Sequence, residues 1–123
     1  MSFNIIIGQE KPIRESDLIG CWQNYPEENK FHPDFTVYRS CKYKSSLKRI
    51  LRYRDIIDLK PNGICRYKKL SANDAHAMHD GKWVFDSDSS ILRIMDLNGN
   101  VVKKMNLVRI EKQLLGVNKT NYN

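Results

Sequence analysis

The sequence predicts an all-β protein, an up-and-down antiparallel barrel of about eight strands with one or two short helical turns. The first observation is that short runs with period-two alternation, rich in β-branched and aromatic residues, recur along the whole chain. The second is that turn formers separate these runs, and most of the connections are too short for parallel crossovers. A sheet joined in this way either closes or leaves unpaired edges, and eight strands are enough to close a barrel.

The runs define eight predicted strands in chain order. They cover residues 18–24, 35–40, 53–60, 64–70, 82–86, 91–97, 101–110 and 114–119. Turn sequences lie between them, namely KPNG at 60–63, DSDSS at 86–90 and LNGN at 97–100. Asn98-Gly99 suits a type I′ hairpin, because both residues tolerate positive φ, and it predicts that the sixth and seventh strands are antiparallel neighbours.

Three segments fit the strand pattern less well. The stretch ESDLIG at 15–20 predicts a short helical turn capped by Ser16, and SANDAHAMHDG at 71–81 predicts a turn or two of helix capped by Ser71 or Asn73. The stretch SSLKRILRYR at 45–54 has apolar residues at helical spacing but also fits one face of a strand. We assign a strand from about Tyr53.

Length and composition predict one domain. The chain has 123 residues, 41% of them hydrophobic and 28% charged, which is enough for one core with a well-solvated surface. We expect residues 1–16 to form a partly flexible N-terminal segment, 17–120 the barrel domain and 121–123 a C-terminal tail. The early apolar run at 3–7 lacks the flanking features of a secretory signal, so we expect a cytoplasmic protein.

The cysteines fit that expectation. Cys21, Cys41 and Cys65 are odd in number, widely spaced and form no CxxC pair. This pattern argues against a disulfide framework and against a zinc site. We therefore predict three reduced thiols in core or strand positions.

Both tryptophans lie two residues after a glycine, in Gly20-Cys21-Trp22 and Gly81-Lys82-Trp83. With DLIGCWQN, LKPNGICRY, HDGKWVFDSDSSILRI and LLGVNK, the chain resembles the bacterial lipocalin-like domains of the calycin group over residues 18–119. The Thr-Asp-Tyr turn of lipocalins is absent. The resemblance implies a barrel with both indoles buried, and Trp22 packed across the closed end beneath Arg109 or Lys119.

The same resemblance implies binding of a small molecule inside the barrel. Arg52 and Arg54 share strand parity, and two guanidinium groups pointing inward would need an anionic partner. That partner is either a bound acid or an internal carboxylate, Asp55 or Asp58. In the first case we expect a small amphiphilic or aromatic acidic ligand, held by Tyr38, Arg52, Tyr53, Arg54 and Tyr67.

The charge of the chain provides an alternative function. The formal net charge is +7, and many of the cations lie in the basic segment 42–54, where Tyr43 and Tyr53 are interleaved. Basic residues alternating with aromatics are typical of nucleic-acid binding, although such a segment also serves as a solvated face. We expect at most a weak, salt-sensitive association with nucleic acid, or contact with a protein partner, through this segment.

Catalytic and metal motifs are missing from the sequence. His76 and His79 have helical spacing beside two aspartates, but no third strong ligand is close in sequence. No phosphate-binding glycine loop, nucleophile elbow or calcium loop is present. We therefore expect a non-enzymatic protein with no catalytic residue, cofactor or metal, and with no membrane span; the sequence carries no indication of the oligomeric state.

Overall fold

The computed structural model describes residues 12–44, 54–68 and 77–119. Eight strands follow a one-turn helix in chain order. The helix is α1 (Glu15–Leu18). The strands are β1 (Gly20–Asn24), β2 (Thr36–Ser40), β3 (Ile56–Leu59), β4 (Ile64–Lys68), β5 (Met78–Asp86), β6 (Ile91–Asp96), β7 (Val101–Glu111) and β8 (Leu114–Val117). Two 3₁₀ helices, Pro26–Phe31 and Pro61–Gly63, lie between strands.

The strands form a closed antiparallel barrel, so the predicted fold class is confirmed. Strands β3 to β8 pair in chain order, including the predicted β6–β7 hairpin. Its turn is not type I′, because Gly99 has a positive φ and Asn98 does not. The first two strands depart from a strict up-and-down order, because β1 lies between β2 and β3 while β2 pairs with β8. Strand β2 ends beside the start of β1, and β3 starts beside the end of β1.

The helical predictions have different outcomes. Helix α1 forms within the predicted segment, but it begins at Glu15, so Ser16 lies inside its first turn and is not the cap. The Asp17 carboxylate accepts a hydrogen bond from the Arg14 amide at 3.2 Å instead. Residues 71–76 of the predicted helical segment 71–81, and residues 45–53 of the ambiguous stretch, lie outside the described residues. The end of the helical segment, residues 78–81, is strand and not helix. Strand β5 begins four residues earlier than predicted, at Met78.

Side chains of alternating residues fill the barrel interior. Every strand contributes to this core, which includes Trp22, Tyr38, Ile57, Leu59, Cys65, Tyr67, Trp83, Leu92, Ile94, Met105, Leu107, Leu115 and Val117. Leu18 of α1 is also completely buried in it, and Ile13 packs beside it. The interior is thus a packed apolar core, as expected for a small barrel with large inward residues.

A second apolar cluster lies outside the barrel wall, over β2 and β8. It consists of Tyr25, Phe35, Val37 and Leu114, with Tyr43 and Val108 packed against it. The polar groups above it are paired, since Glu28 accepts hydrogen bonds from Arg39 at 2.8 Å and from the Tyr43 hydroxyl at 2.9 Å. Burial, followed by this hydrogen bond, raises the pKa of Tyr43. This cluster covers one part of the barrel wall with the chain between β1 and β2.

The prediction of three reduced thiols is wrong for two of them. Cys21 and Cys41 form a disulfide, with Cα atoms 5.3 Å apart, while Cys65 is a free, buried thiol. The register of β1 and β2 explains the pair, because Trp22 lies opposite Ser40 and the next opposed positions are Cys21 and Cys41. The sequence spacing of 20 residues does not reveal this register.

Within the described parts of the chain, no helix has the length and apolar character needed to cross a bilayer.

Candidate functional site

The barrel has two chemically different ends. At the first, which we name the Trp22 end, β1 starts, β3 finishes and the β7–β8 turn lies beside α1. At the second, which we name the Asp55 end, β1 finishes, β3 starts and the β6–β7 turn is found. Antiparallel strands alternate in direction around the barrel, so each end collects residues that are far apart in sequence.

Apolar side chains close the Trp22 end. Trp22 is 6% exposed and its indole N–H donates to the Leu18 carbonyl at 3.0 Å, which ties β1 to α1. Trp83 is 2% exposed and donates to the Lys60 carbonyl at 2.8 Å, in the turn before β4. The prediction that both tryptophans are buried is confirmed, and each buried N–H has an acceptor, as indoles require.

The glycines of the two Gly-x-Trp motifs have different roles. Gly20 has a φ of +140°, a conformation that side chains rarely adopt, at the point where the chain leaves α1 and enters the barrel. Gly81 has no room for a side chain, because a Cβ atom there would lie 2.3 Å from the Met95 carbonyl oxygen and 2.9 Å from the Tyr67 ring. One glycine is required by backbone conformation, and the other by close packing of Tyr67.

A pocket of about 670 Å³ opens at the Trp22 end, between the N-terminal segment and the β7–β8 turn. This volume is within the range of small-molecule sites. Its lining combines an indole and aliphatic side chains with charged groups, namely Pro12, Arg14, Asp17, Trp22, Ile110, Glu111, Lys112 and Gln113. The apolar residues lie next to the barrel core, and both cations are exposed at the outer side.

The charges around this pocket sum to a positive value. Asp17 pairs with Arg14 at 3.6 Å, and Glu111 pairs with Arg109 at 2.8 Å, so each acid of the lining has a cationic partner. Lys112, at the β7–β8 turn, adds a further exposed ammonium group. Three cations against two acids favour an anionic group at the pocket mouth.

The basic residues expected over Trp22 are elsewhere. Arg109 lies on the outer side of the barrel, with its guanidinium 6.0 Å from the Phe35 ring. Lys119 is exposed and follows β8 at the Asp55 end. The register shift between Leu107 and Arg109 turns Arg109 outward, and the direction of β8 carries Lys119 away from Trp22. Arg14 and Lys112 are the cations that share a pocket with Trp22.

Buried charges characterise the Asp55 end. Asp55 is 4% exposed. Its Oδ2 atom accepts a hydrogen bond from the Tyr38 hydroxyl at 2.6 Å and forms an ion pair with Lys103. The amide of Asp55 donates to the Asn24 side chain at 2.7 Å, and its carbonyl accepts from the Asn24 amide at 3.0 Å. The carboxylate contacts β2 and β7 inside the barrel, which satisfies the rule that buried charges are paired, and the backbone of Asp55 is bonded to the end of β1.

Tyr67 and Cys65 lie between the two ends, on the inward side of β4. Tyr67 is buried against His79, with ring centroids 5.6 Å apart, and desolvation raises the pKa of its hydroxyl. Burial raises the pKa of the Cys65 thiol to about 11, with smaller contributions from Asp58 and Asp80. Both groups are therefore neutral at physiological pH.

The three described residues of the predicted acidic-ligand site are not brought together. Tyr38 and Tyr67 are inside the barrel, whereas Arg54 lies outside it, with its guanidinium 3.9 Å from the Tyr25 ring centroid. Arg54 donates to Glu27 at 3.0 Å and to the Asn24 carbonyl at 2.7 Å, and the hydrogen bond to Glu27 raises its pKa. Arg52 and Tyr53 lie outside the described residues.

Only the two ends of the basic segment 42–54 are described. Lys42 and Lys44 are exposed, while Tyr43 packs against the outer apolar cluster and contacts Arg39, whose guanidinium lies 4.3 Å from its ring. Tyr43 and Arg54 are thus engaged by the protein itself. Residues 45–53, which include Lys48, Arg49 and Arg52, lie outside the described residues.

Lys103 and the pocket lining were missed by sequence reasoning. Lys103 has the inward parity of Met105 and Leu107, and this alternation could have identified an inward cation. The pocket depends on the position of residues 12–17 against the β7–β8 turn, which no local pattern encodes. Among the residues that the structure describes, no three histidine, cysteine or acidic side chains form a cluster that could hold a metal ion.

Comparison with known proteins finds no matching family model, no matching curated protein and no matching solved structure.

Proposed function

We propose that this protein is a non-enzymatic binding protein for a small amphiphilic acid, and that the ligand occupies the pocket at the Trp22 end. The observation that carries the proposal is the pocket of about 670 Å³, with Trp22 and Ile110 on its apolar side and Arg14 and Lys112 at its mouth. An apolar lining with a few placed polar groups is the usual composition of small-molecule sites.

The ligand class follows from the arrangement of the lining. The apolar part of the ligand lies against Ile110 and the edge of Trp22. The indole N–H of Trp22 already donates to the Leu18 carbonyl, so the ligand needs no polar group there. Its acidic group lies at the mouth, where Lys112 and Arg14 donate hydrogen bonds to it. A neutral or cationic amphiphile of the same length lacks the second contact and binds more weakly.

The predicted interior site is a separate hypothesis. Tyr38, Arg52, Tyr53, Arg54 and Tyr67 stay predicted ligand residues, but the pairing of Tyr38 with Asp55 and of Arg54 with Glu27 favours the pocket. Two of the three described residues of this predicted site already have internal carboxylate partners.

The lipocalin-like assignment belongs to the same proposal. It is supported by the closed eight-stranded antiparallel barrel and by a buried tryptophan of β1 at one end, beside two cations. The position of β1 between β2 and β3 departs from the up-and-down order of such barrels. We infer a calycin-type binding barrel whose first two strands are arranged differently.

Binding of dodecanoate tests this function. Isothermal titration at neutral pH should give micromolar binding of dodecanoate and at least about ten-fold weaker binding of dodecanol and dodecyltrimethylammonium, a difference of about 1.4 kcal/mol. Lys112→Glu should weaken dodecanoate binding by about the same factor, because it reverses the charge at the pocket mouth.

Lys104→Glu is the matched control, because it makes the same charge change at an exposed position on β7 outside the pocket. It should leave the affinity for dodecanoate within about two-fold of wild type. Equal binding of all three amphiphiles, or equal losses in both variants, would contradict the proposal.

The alternative function, a basic module that binds nucleic acid or a protein partner through the basic segment 42–54, stays a prediction. The exposure of Lys42 and Lys44 favours it. Such association should disappear as salt approaches about 150 mM, because released counterions drive it. Tight oligonucleotide binding at that salt would make this the main function.

Cytoplasmic location also stays a prediction. The Cys21–Cys41 disulfide counts against it, because disulfides are rare in reducing compartments.

A further inference from the structure

The outer surface of β4 to β7 carries a basic and aliphatic face that the proposed ligand site does not use. We name it the basic outer face, and it consists of Ile64, Lys82, Val84, Arg93, Met95 and Lys104. These residues have the opposite parity to the core residues Cys65, Trp83, Ile94 and Met105. They therefore point away from the barrel interior.

Strand register makes this face continuous. Ile64 lies opposite Lys82, which lies opposite Met95, and Val84 lies opposite Arg93, which lies opposite Lys104. The result is two adjacent rows of side chains across neighbouring strands, each row mixing cations with aliphatic residues. Ile64 is 54% exposed and Val84 is 48% exposed, so the aliphatic side chains of the face are in water.

The charge of the face has one sign. Lys82, Arg93 and Lys104 come from three successive strands. The neighbouring acids lie at the margins, with Asp80 paired to Arg66 at 3.4 Å and Asp86 in the β5–β6 turn. Hydrogen bonds from Ser89 and Asp88, with a smaller effect of Arg93, lower the pKa of Asp86.

We propose that the basic outer face binds an acidic amphipathic helix of a protein partner. Charge complementarity selects the acidic residues, and the aliphatic side chains between the cations select an apolar stripe. A strand partner is disfavoured, because the barrel is closed and has no free edge to extend. A second copy of this chain is disfavoured as well, since two like-charged faces would meet.

The spacing of the cations fits a helix. Opposed residues on neighbouring strands have Cβ atoms about 5 Å apart and diagonal ones about 7–8 Å apart, which covers Lys82, Arg93 and Lys104. Acidic residues at i and i+4 of a helix are about 6 Å apart. Nucleic acid is a poorer match, because the described side chains of this face include no aromatic group for stacking on bases.

A synthetic helix tests the proposal. The probe is an amphipathic helical peptide with glutamate at i, i+4 spacing next to a leucine stripe on the same side, and the control is a scrambled peptide of identical composition. At about 150 mM salt, the helical peptide should shift the amide resonances of the outward residues of β5, β6 and β7, and the scrambled peptide should bind at least about ten-fold more weakly.

Two charge-matched variants localise the site. Lys82→Glu with Lys104→Glu should weaken peptide binding at least about ten-fold, whereas Lys42→Glu with Lys44→Glu should change it by less than about two-fold. All four lysines are exposed, so both variants should keep the wild-type circular dichroism spectrum.

Four outcomes would overturn the proposal. They are equal binding of the scrambled peptide, no loss in the first variant, an equal loss in the second variant, or tighter binding of duplex or single-stranded DNA to the same face. Dodecanoate binding is read separately and is not affected by any of these results.

Discussion

The two ends of the barrel are closed by side chains of different chemistry. The Trp22 end is closed by α1 and two indoles, whose N–H groups donate to backbone carbonyls, and a pocket lies beside them. The Asp55 end holds a buried carboxylate with Tyr38 and Lys103 as partners. An apolar end leaves room for a ligand, whereas an end closed by paired charges uses its polar groups for the fold.

The largest expected loss of stability comes from a substitution at the Asp55 end. Asp55→Ala leaves the Lys103 ammonium and the Tyr38 hydroxyl without their shared acceptor, and we expect it to lower the free energy of unfolding by about 3–5 kcal/mol. Urea denaturation followed by circular dichroism measures this change. Asp58→Ala, on the outward side of the same strand, should cost less than about 1 kcal/mol.

A double variant sharpens this test. Asp55→Ala with Lys103→Met removes both charges, and it should recover about 1–3 kcal/mol relative to Asp55→Ala alone. Additive losses in the double variant would mean that the two side chains do not stabilise each other.

The next effect concerns the Trp22 end, which the disulfide fastens from outside. The bond closes a loop of 20 residues between β1 and the end of β2, and its reduction should lower the free energy of unfolding by roughly 3 kcal/mol. Cys21→Ser with Cys41→Ser should show the lower stability with or without reductant. If the wild type has the same unfolding midpoint with and without reductant, the disulfide does not have this stabilising role.

A smaller effect concerns Cys65, a buried group in the apolar half of the barrel that has no charged partner. With its pKa raised to about 11 by burial, the thiol of the native protein should react with iodoacetamide at pH 8 at least about a hundred-fold more slowly than free cysteine. The unfolded chain ionises this thiol at lower pH than the folded chain. Its contribution to stability is therefore complete below the unfolded pKa and is lost as pH rises toward 11.

Comparison with a Cys65→Val variant isolates that contribution. The wild type should lose more stability than the variant between pH 8 and pH 10, measured by urea denaturation. Identical pH dependence in the two proteins, together with fast alkylation, would show that the thiol is accessible and ionises normally.

The predictable part of the molecule is its local pattern. Each of the eight predicted strands overlaps one observed strand, although some boundaries differ, because alternation and turn residues are local properties. The position of β1 between β2 and β3, and with it the Cys21–Cys41 pair, depends on long-range register. The bulge between Leu107 and Arg109 turns Arg109 outward, away from the position that the resemblance implied.

The candidate site was less predictable for the same reason. Asp55 and Lys103 are 48 residues apart, and only barrel closure brings them together. The pocket depends on residues 12–17 resting near residues 110–113, which closure and the direction of α1 determine. Tyr38 and Tyr67 belong to the core of the barrel interior.

A titration of isotope-labelled protein with dodecanoate, followed by amide and indole resonances, tests most directly whether one end binds and the other is structural. We predict saturable shifts of the Trp22 indole N–H and of the amides of Arg14, Lys112 and Gln113, with Asp55 and Tyr38 unchanged. Shifts centred on Tyr38, Asp55 and Tyr67, with the Trp22 end unchanged, would contradict the account and place the ligand inside the barrel.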